Sequence, residues 1–227
     1  MRFGHVAIDG PVASGKTTVA RIVAGRLGVL YLDTGAMYRA FALLAIRAGV
    51  GAADETALLA LAESRPIHVI LDPKAEMGFR LFAGGEELGS ELYGNEVSSV
   101  ASIVAAHPRI RSYLVARQRA IASEGSVVMA GRDIGTVVLP EASLKIFLTA
   151  SVDSRVERRR AELAQRGITV DAATLRSEIV ERDRQDRERT AAPLRPAQDA
   201  IEIDSSELTI DQVVERIASL ARDGARS

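Results

Sequence analysis

Cysteine and tryptophan are absent from this chain of 227 residues, and histidine occurs only three times. Without cysteine there is no disulfide, no thiolate metal site and no thiol nucleophile. His5, His68 and His107 lie far apart and form no metal-ligand spacing, so structural or solvent-exposed roles are expected for each. Hydrophobic residues make up 47% of the chain, yet no apolar run approaches the ~20 residues of a membrane span. The chain runs straight into a strand-like stretch, so no signal peptide is expected and a soluble, cytoplasmic protein is. Charge of one sign is missing too. The net charge of −1 argues against a general attraction to nucleic acid or membrane surfaces. Lysine is confined to Lys16, Lys74 and Lys145; every other basic residue is arginine, whose planar fork suits bidentate phosphate contacts.

One of those three lysines stands in the most informative stretch. Gly10-Pro11-Val12-Ala13-Ser14-Gly15-Lys16-Thr17 has the spacing G-x-x-x-x-G-K-[ST] of a phosphate-binding P-loop. It follows the apolar run Val6–Ile8 and precedes Val19, Ile22, Val23 and Leu27 at helical spacing. Each part has a physical purpose. Gly10 and Gly15 carry no Cβ, so backbone N–H groups can come close to a phosphate. The helix that follows presents free N–H donors and partial positive charge at its start. Lys16 is placed to reach the β- and γ-phosphates of ATP, and the Thr17 hydroxyl to hold Mg²⁺. Thr18 completes the ATP-binding set.

Around this loop the chain reads as an α/β fold. Strands are expected at His5–Ile8, Val29–Leu32, Val127–Ala130, Leu144–Thr149 and Ala200–Ile203, with helices between them. Two βα units in succession argue for a parallel sheet with right-handed crossovers. The predicted class is therefore a P-loop NTPase-type five-stranded parallel sheet flanked by helices. Gly28 reads as the stop of the first helix, Asp54 as the cap of the third, and Thr209 with Gln212 as a capping box for the last. The pattern changes over residues 65–100. Ile67–Leu71 and Gly78–Phe82 are short β-like runs with turn signals at Asp72-Pro73 and Gly84-Gly85, so a small antiparallel patch is expected there. Residues 153–190 hold ten arginines and nine acids, a composition of solvated helices, divided at Gly167. Residues 225–227 are expected to fray. The whole reads as one kinase-type domain: core 1–64 and 101–227, insertion 65–100, and a lid at 153–170. In such sheets ligands bind beyond the carboxyl ends of the strands. The P-loop, Asp33–Arg39, Gly131–Gly135 and the charged helices all follow strands, which predicts one shared cleft.

Four separated segments resemble a known family. Ile8–Thr18, Leu32-Asp33-Thr34-Gly35-Ala36-Met37-Tyr38-Arg39, Gly131-Arg132-Asp133-Ile134-Gly135-Thr136-Val137-Val138 and Glu181-Arg182-Asp183-Arg184-Gln185-Asp186-Arg187 look like bacterial cytidylate kinases, nucleoside monophosphate kinases. The resemblance runs from about His5 to the last helix. It implies phosphorylation of CMP and dCMP by Mg-ATP, with residues 65–100 enlarging the monophosphate-binding region. It implies that Thr34, Arg39, Ser102, Arg111, Arg132, Asp133, Arg182, Asp186 and Arg189 bind CMP. Arg39, Arg132 and Arg189 would meet its phosphate, Ser102, Arg111 and Asp133 the cytosine, and Arg182 and Asp186 the ribose. Lys16, Arg132, Arg155, Arg158 and Arg189 would act on the transferred phosphate, Arg155 and Arg158 as arginines of the closing lid. Ala130 stands where an acid could hold Mg²⁺ through water, a task then left to Asp33 or Asp133. The family further implies a monomer with small nucleotides as its partners.

The residues by themselves leave other readings open. Another small-molecule P-loop kinase would act on UMP, AMP or dTMP. An ATP-driven switch for protein or nucleic acid would hydrolyse ATP without an acceptor. A nucleotide-binding structural protein would do neither. Arg132 with Asp133, or Arg182 with Asp186 and Arg189, could equally be structural ion pairs.

Overall fold

The computed structural model of the chain describes residues 4–165 and 167–224. The segment 225–227, read above as fraying, lies outside these, as does Arg166. Five strands form the central sheet in the order β2-β6-β1-β7-β8: β1 (Val6–Asp9), β2 (Leu30–Asp33), β6 (Val127–Gly131), β7 (Leu144–Thr149) and β8 (Ile201–Asp204). The sheet is parallel and flanked by helices, as predicted. β1 pairs in parallel with β6 through Val6↔Val128 and Asp9↔Gly131, and with β7 through Val6↔Leu144 and Asp9↔Phe147. Central strands of such a sheet are covered on both faces, which is why they read as unbroken apolar runs rather than alternating ones. Val6–Ile8 and Val127–Ala130 are accordingly buried throughout.

Contacts divide the chain into two compact units. The first joins Met1–Val29 to Val128–Ser227. It contains β1, α1 (Lys16–Leu27), β6, a π-helical turn at Ile134–Val138, β7, α6 (Val152–Gln165), α7 (Ala172–Glu188), β8 and α8 (Ile210–Gly224). α1 packs on α8, and α6 on α7. α1 ends at Gly28, whose φ of 65° is left-handed, with its N–H on the carbonyls of Ala24 and Gly25. The capping box of α8 is formed: Thr209 N donates to Gln212 Oε1 at 2.9 Å, and Gln212 N to Thr209 Oγ1 at 3.2 Å.

The second unit is Leu30–Val127. It holds β2, α2 (Thr34–Arg47), α3 (Glu55–Ser64), the antiparallel sheet β3 (Ile67–Leu71), β4 (Phe79–Ala83) and β5 (Glu86–Leu88), α4 (Asn95–Val104) and α5 (Pro108–Ser123). The antiparallel patch expected over residues 65–100 is thus present, with β5 added, and a 3-10 turn at Ser90–Tyr93 follows it. These strands are integrated with helices: α2 packs against α4, β4 and β3, burying Met37, Phe41 and Leu44. Asp54 caps α3 through the Ala57 N–H at 3.0 Å, as its position in the sequence indicated.

Candidate active site

The P-loop leaves the carboxyl end of β1 and enters α1 through a strained backbone. Gly15, just before α1, has φ 87°, and Ala13 has φ 57°, a left-handed value that costs a residue with a Cβ about 1–2 kcal/mol. A Cβ added at Gly10 would run into the Leu148 carbonyl and stand 3.2 Å from Ser14 Oγ. Only glycine fits there, so the glycine spacing of the motif reflects close packing as well as turn geometry. Ser14 is buried, and its hydroxyl has no hydrogen-bond partner among the described residues. A buried, unsatisfied hydroxyl inside a phosphate loop suits an incoming phosphate oxygen. Lys16 is buried with its ammonium on the Pro11 carbonyl at 2.9 Å. Thr17 is exposed on the first turn of α1, and its hydroxyl is bonded to no described residue.

Beyond β6 lies the second element of this unit. Asp9, at the end of β1, is buried and accepts from the N–H groups of Ile134 and Gly135, both at 2.8 Å. Burial pushes its carboxyl up to about 6, against the lowering effect of these two donors; Asp133 adds to the rise and Lys16 opposes it. Asp9 therefore ties the strand that leads into the P-loop to the loop that carries Arg132 and Asp133. Arg132 Nε donates to Asp186 Oδ2 at 2.6 Å. Arg189 reaches Asp186 and Asp133, each at 3.8 Å, and its Nε donates to the Ala192 carbonyl at 2.6 Å. Burial pushes the Asp186 carboxyl up, but Arg132, Arg189 and Arg182 together hold it below its ordinary value. Asp133 is buried within this group. Arg132 thus pairs with an acid on α7 rather than with its sequence neighbour.

Two arginines of α6 reach the P-loop. Arg155 is buried and forks onto Asp183, Nη1 to Oδ1 at 3.0 Å and Nη2 to Oδ2 at 2.7 Å. It also donates to the carbonyls of Ala150 and Val12, at 3.1 and 3.2 Å. Arg158 donates to the Ser14 carbonyl at 3.2 Å and to Ser205 Oγ and O at 3.0 and 2.5 Å. Asp9, Asp183 and Ser205 had not been singled out from the sequence. Asp183 left one signal there. It continues the buried stripe Leu175–Ile179 at a four-residue interval, so an acid occupies a core-facing position.

In the second unit, Asp33 ends β2 and caps α2 through the Gly35 N–H at 2.9 Å. Its other oxygen takes Arg39 Nη2 at 2.8 Å, and the Arg39 guanidinium lies 4.7 Å from the Tyr93 ring centroid. Burial works against the charge on Arg39, but Asp33 and Tyr93 together raise the guanidinium pKa above its ordinary value. A Cβ on Gly35 would stand 3.0 Å from Asp33 Oδ1 and 3.2 Å from Arg39 Nη1, so a side chain there would press on this pair. Thr34 is buried at the first position of α2. Arg111 is buried on α5, with Nη1 on the Ala105 carbonyl at 3.1 Å and its guanidinium 5.6 Å from the Tyr38 ring centroid. Ser102 on α4 donates to the Ser98 carbonyl at 3.3 Å. Ala130 lies within β6, paired in register with Ile8, and is fully buried. Among the described residues no three His, Asp or Glu side chains form a metal cluster, and no helix is long and apolar enough to cross a membrane.

Similarity to known proteins agrees with this geometry. A relative from Pelotomaculum thermopropionicum, named cytidylate kinase, is 51% identical over 224 residues, covering 99% of this chain and 98% of that protein. A cytidylate kinase of Geobacillus sp. is 49% identical, covering 96% of each chain. Among solved structures, a gluconokinase from Sinorhizobium meliloti aligns over 100% of this chain and 97% of its own, with a TM-score of 0.50 at 13% identity. A protein from Eubacterium ventriosum aligns over 98% and 99%, with a TM-score of 0.52 at 14% identity. At such low identity these two speak for the fold alone. The cytidylate kinase family model matches residues 6–223. A P-loop bound by α6 arginines, an arginine-bearing loop tied to it by Asp9 and full-length relatives near 50% identity lead to one assignment: this chain belongs to the cytidylate kinase family.

Proposed function

We propose that this protein transfers the γ-phosphoryl group of ATP to CMP and dCMP, giving CDP and dCDP. The observation that carries the reading is the Asp9 link. A phosphate cradle and a cluster of cationic side chains hang from one buried carboxylate, so two polyanions have binding elements joined within one unit. The donor phosphates lie against the backbone of Gly10–Thr18, with Lys16 on the β- and γ-phosphates and the Ser14 hydroxyl donating to a phosphate oxygen. The open Thr17 hydroxyl would hold Mg²⁺, which would supply charge neutralisation for the donor phosphates. Arg132 and Arg189 hold the acceptor phosphate. Asp133 accepts from the cytosine amine and repels the carbonyl that uracil has there. Arg182 and Asp186 serve the ribose, and Thr34, Arg39, Ser102 and Arg111 are the remaining CMP-binding residues.

The acceptor is a phosphate monoester whose second pKa is about 6, so it is largely dianionic at neutral pH. It is already a nucleophile and needs no strong base. Catalysis is then positioning and charge stabilisation. Of the two α6 arginines, Arg158 is the one we assign to the transferred phosphate. It is half-buried and held by neutral oxygens, whereas the Arg155 guanidinium is locked on a buried carboxylate. Segments 65–100 and 153–170 close the site and keep water from the reacting phosphate. The enzyme works as a monomer in the cytoplasm, where both nucleotides are available.

The test is an ADP-release assay with Mg-ATP and CMP, dCMP, UMP, AMP, dTMP or no acceptor. Turnover on CMP and dCMP well above the rest is expected. Equal turnover without acceptor means an ATPase and ends the kinase reading. Selectivity for another monophosphate keeps the reaction but removes Ser102, Arg111 and Asp133 as cytosine readers.

A further inference from the structure

Three backbone carbonyls of the P-loop each accept from a cationic side chain: Pro11 from Lys16, Val12 from Arg155 and Ser14 from Arg158. In a planar trans peptide the carbonyl and the following N–H point in opposite directions. Fixing the Val12 carbonyl therefore fixes the Ala13 N–H, and fixing the Ser14 carbonyl fixes that of Gly15. Ala13 sits between these two held peptides and is the residue with left-handed φ. Such strain persists only where the surroundings over-determine it.

The grip on Val12 is double. Its side chain packs against the apolar cluster of α6 and α7 formed by Val156, Leu163, Leu175 and Ile179. Its carbonyl takes Arg155, which Asp183 of α7 holds by two hydrogen bonds, in a pair with side chains only 4% and 8% exposed. A buried charge pair is seldom worth more to stability than apolar groups of the same size. Its retention here calls for another purpose.

We infer that Arg155, buttressed by Asp183, is a positioning residue: it orients the Ala13 N–H of the phosphate cradle by holding the Val12 carbonyl, so that the α6–α7 pair sets donor affinity before any closure. The residue acts through the loop and touches no phosphate itself. This rests on the P-loop being the donor site, and the experiment separates the two. ATP and CMP are titrated separately onto the full-length protein and onto the double variant Arg155→Met/Asp183→Leu. The double substitution removes both charges and keeps the apolar packing. About tenfold weaker ATP binding and a similar rise in KM for ATP are expected, with CMP affinity within about twofold and the melting temperature kept or raised. ATP affinity within twofold of the parent overturns the inference. Equal losses for ATP and CMP with a lowered melting temperature overturn it as well, because the pair then only supports the fold. A parent protein that fails to bind ATP overturns the donor-site reading instead. If the double variant does not fold, Arg155→Lys decides by the same criteria. Lysine keeps a charge against Asp183 but has no planar fork with which to hold Asp183 and Val12 together.

Discussion

Lys16, Asp133 and Asp9 are all buried charged side chains, and each carries a different expectation. On the proposed reading, Lys16 supplies charge to phosphates from a buried position. Lys16→Met is expected to lower kcat by about 10²–10³, as for the loss of one strong electrostatic donor, with an unchanged melting temperature; a loss below tenfold would remove Lys16 from the transferred phosphate. On the same reading, Asp133 discriminates by a hydrogen bond that only one base can complete. Asp133→Ala is expected to reduce the CMP-over-UMP ratio of kcat/KM by about tenfold or more, since unmatched buried polar groups are what reject the wrong base. An unaltered ratio would mean that another group reads cytosine. For Asp9 the expectation concerns pH. Its folded-state carboxyl is raised to about 6 from 3.8, so between those values the folded protein binds more protons than the unfolded chain. The contribution of this group to stability is complete below about pH 4 and is lost as pH rises through 6. Chemical denaturation of the parent and of Asp9→Asn from pH 4.5 to 7.5 should show a falling component present only in the parent. Asp186 works in the opposite sense, its stabilisation being lost as pH falls below its ordinary range, so the two do not overlap.

Among the elements, helix starts were the most legible. Asp54 caps α3 by accepting a backbone N–H at 3.0 Å, and the Thr209/Gln212 box opens α8, both as the sequence indicated; Asp33 and Asp171 cap α2 and α7 at 2.9 Å without having been read as caps. Such caps are local chemistry, decided by residues two or three apart. Thr209→Ala is expected to cost about 1 kcal/mol, read by denaturant titration, with KM for both nucleotides unmoved. Gly35 differs because its small size serves a pair. Gly35→Ala places a methyl group against Asp33 Oδ1 and Arg39 Nη1. KM for CMP should rise several-fold while KM for ATP is retained; equal effects on both would detach Arg39 from the acceptor. The elements that escaped sequence reading are those without a period of their own. β5 has three residues and the π-helical turn at Ile134–Val138 five. The turn has no side-chain cap, and Asp9 takes its first two N–H groups from a distant strand.

At the scale of the whole chain, the parallel sheet sets where chemistry can occur. The P-loop, Thr34, Arg132 and α6 each follow the carboxyl end of a strand, β1, β2, β6 and β7 in turn. A small sheet, β3-β4-β5, packs with α2 rather than standing as a separate flap, because Phe79, Leu81 and Leu88 need an apolar surface to cover them. Arg39, Arg155 and Arg132 are paired internally, with Asp33, Asp183 and Asp186, so their charges are balanced where they stand.

Sequence alone determined the five core strands with the helices between them, the P-loop, the glycine stops and the caps at Asp54 and Thr209. All of these depend on residues within a few positions of one another, where periodicity and backbone sterics act directly. It also brought the family within reach, through four motifs whose spacing survives without reference to three dimensions. The partnerships of the charged residues were decided only by tertiary structure. Arg132 meets Asp186 54 positions away, Arg155 meets Asp183 28 away, and Asp9 meets Ile134 125 away. Their spacing in the chain says nothing of which pairs form, because charge attraction is long-ranged and indifferent to sequence. The fold chooses the partners by bringing strand ends and helix faces together and removing the water between them.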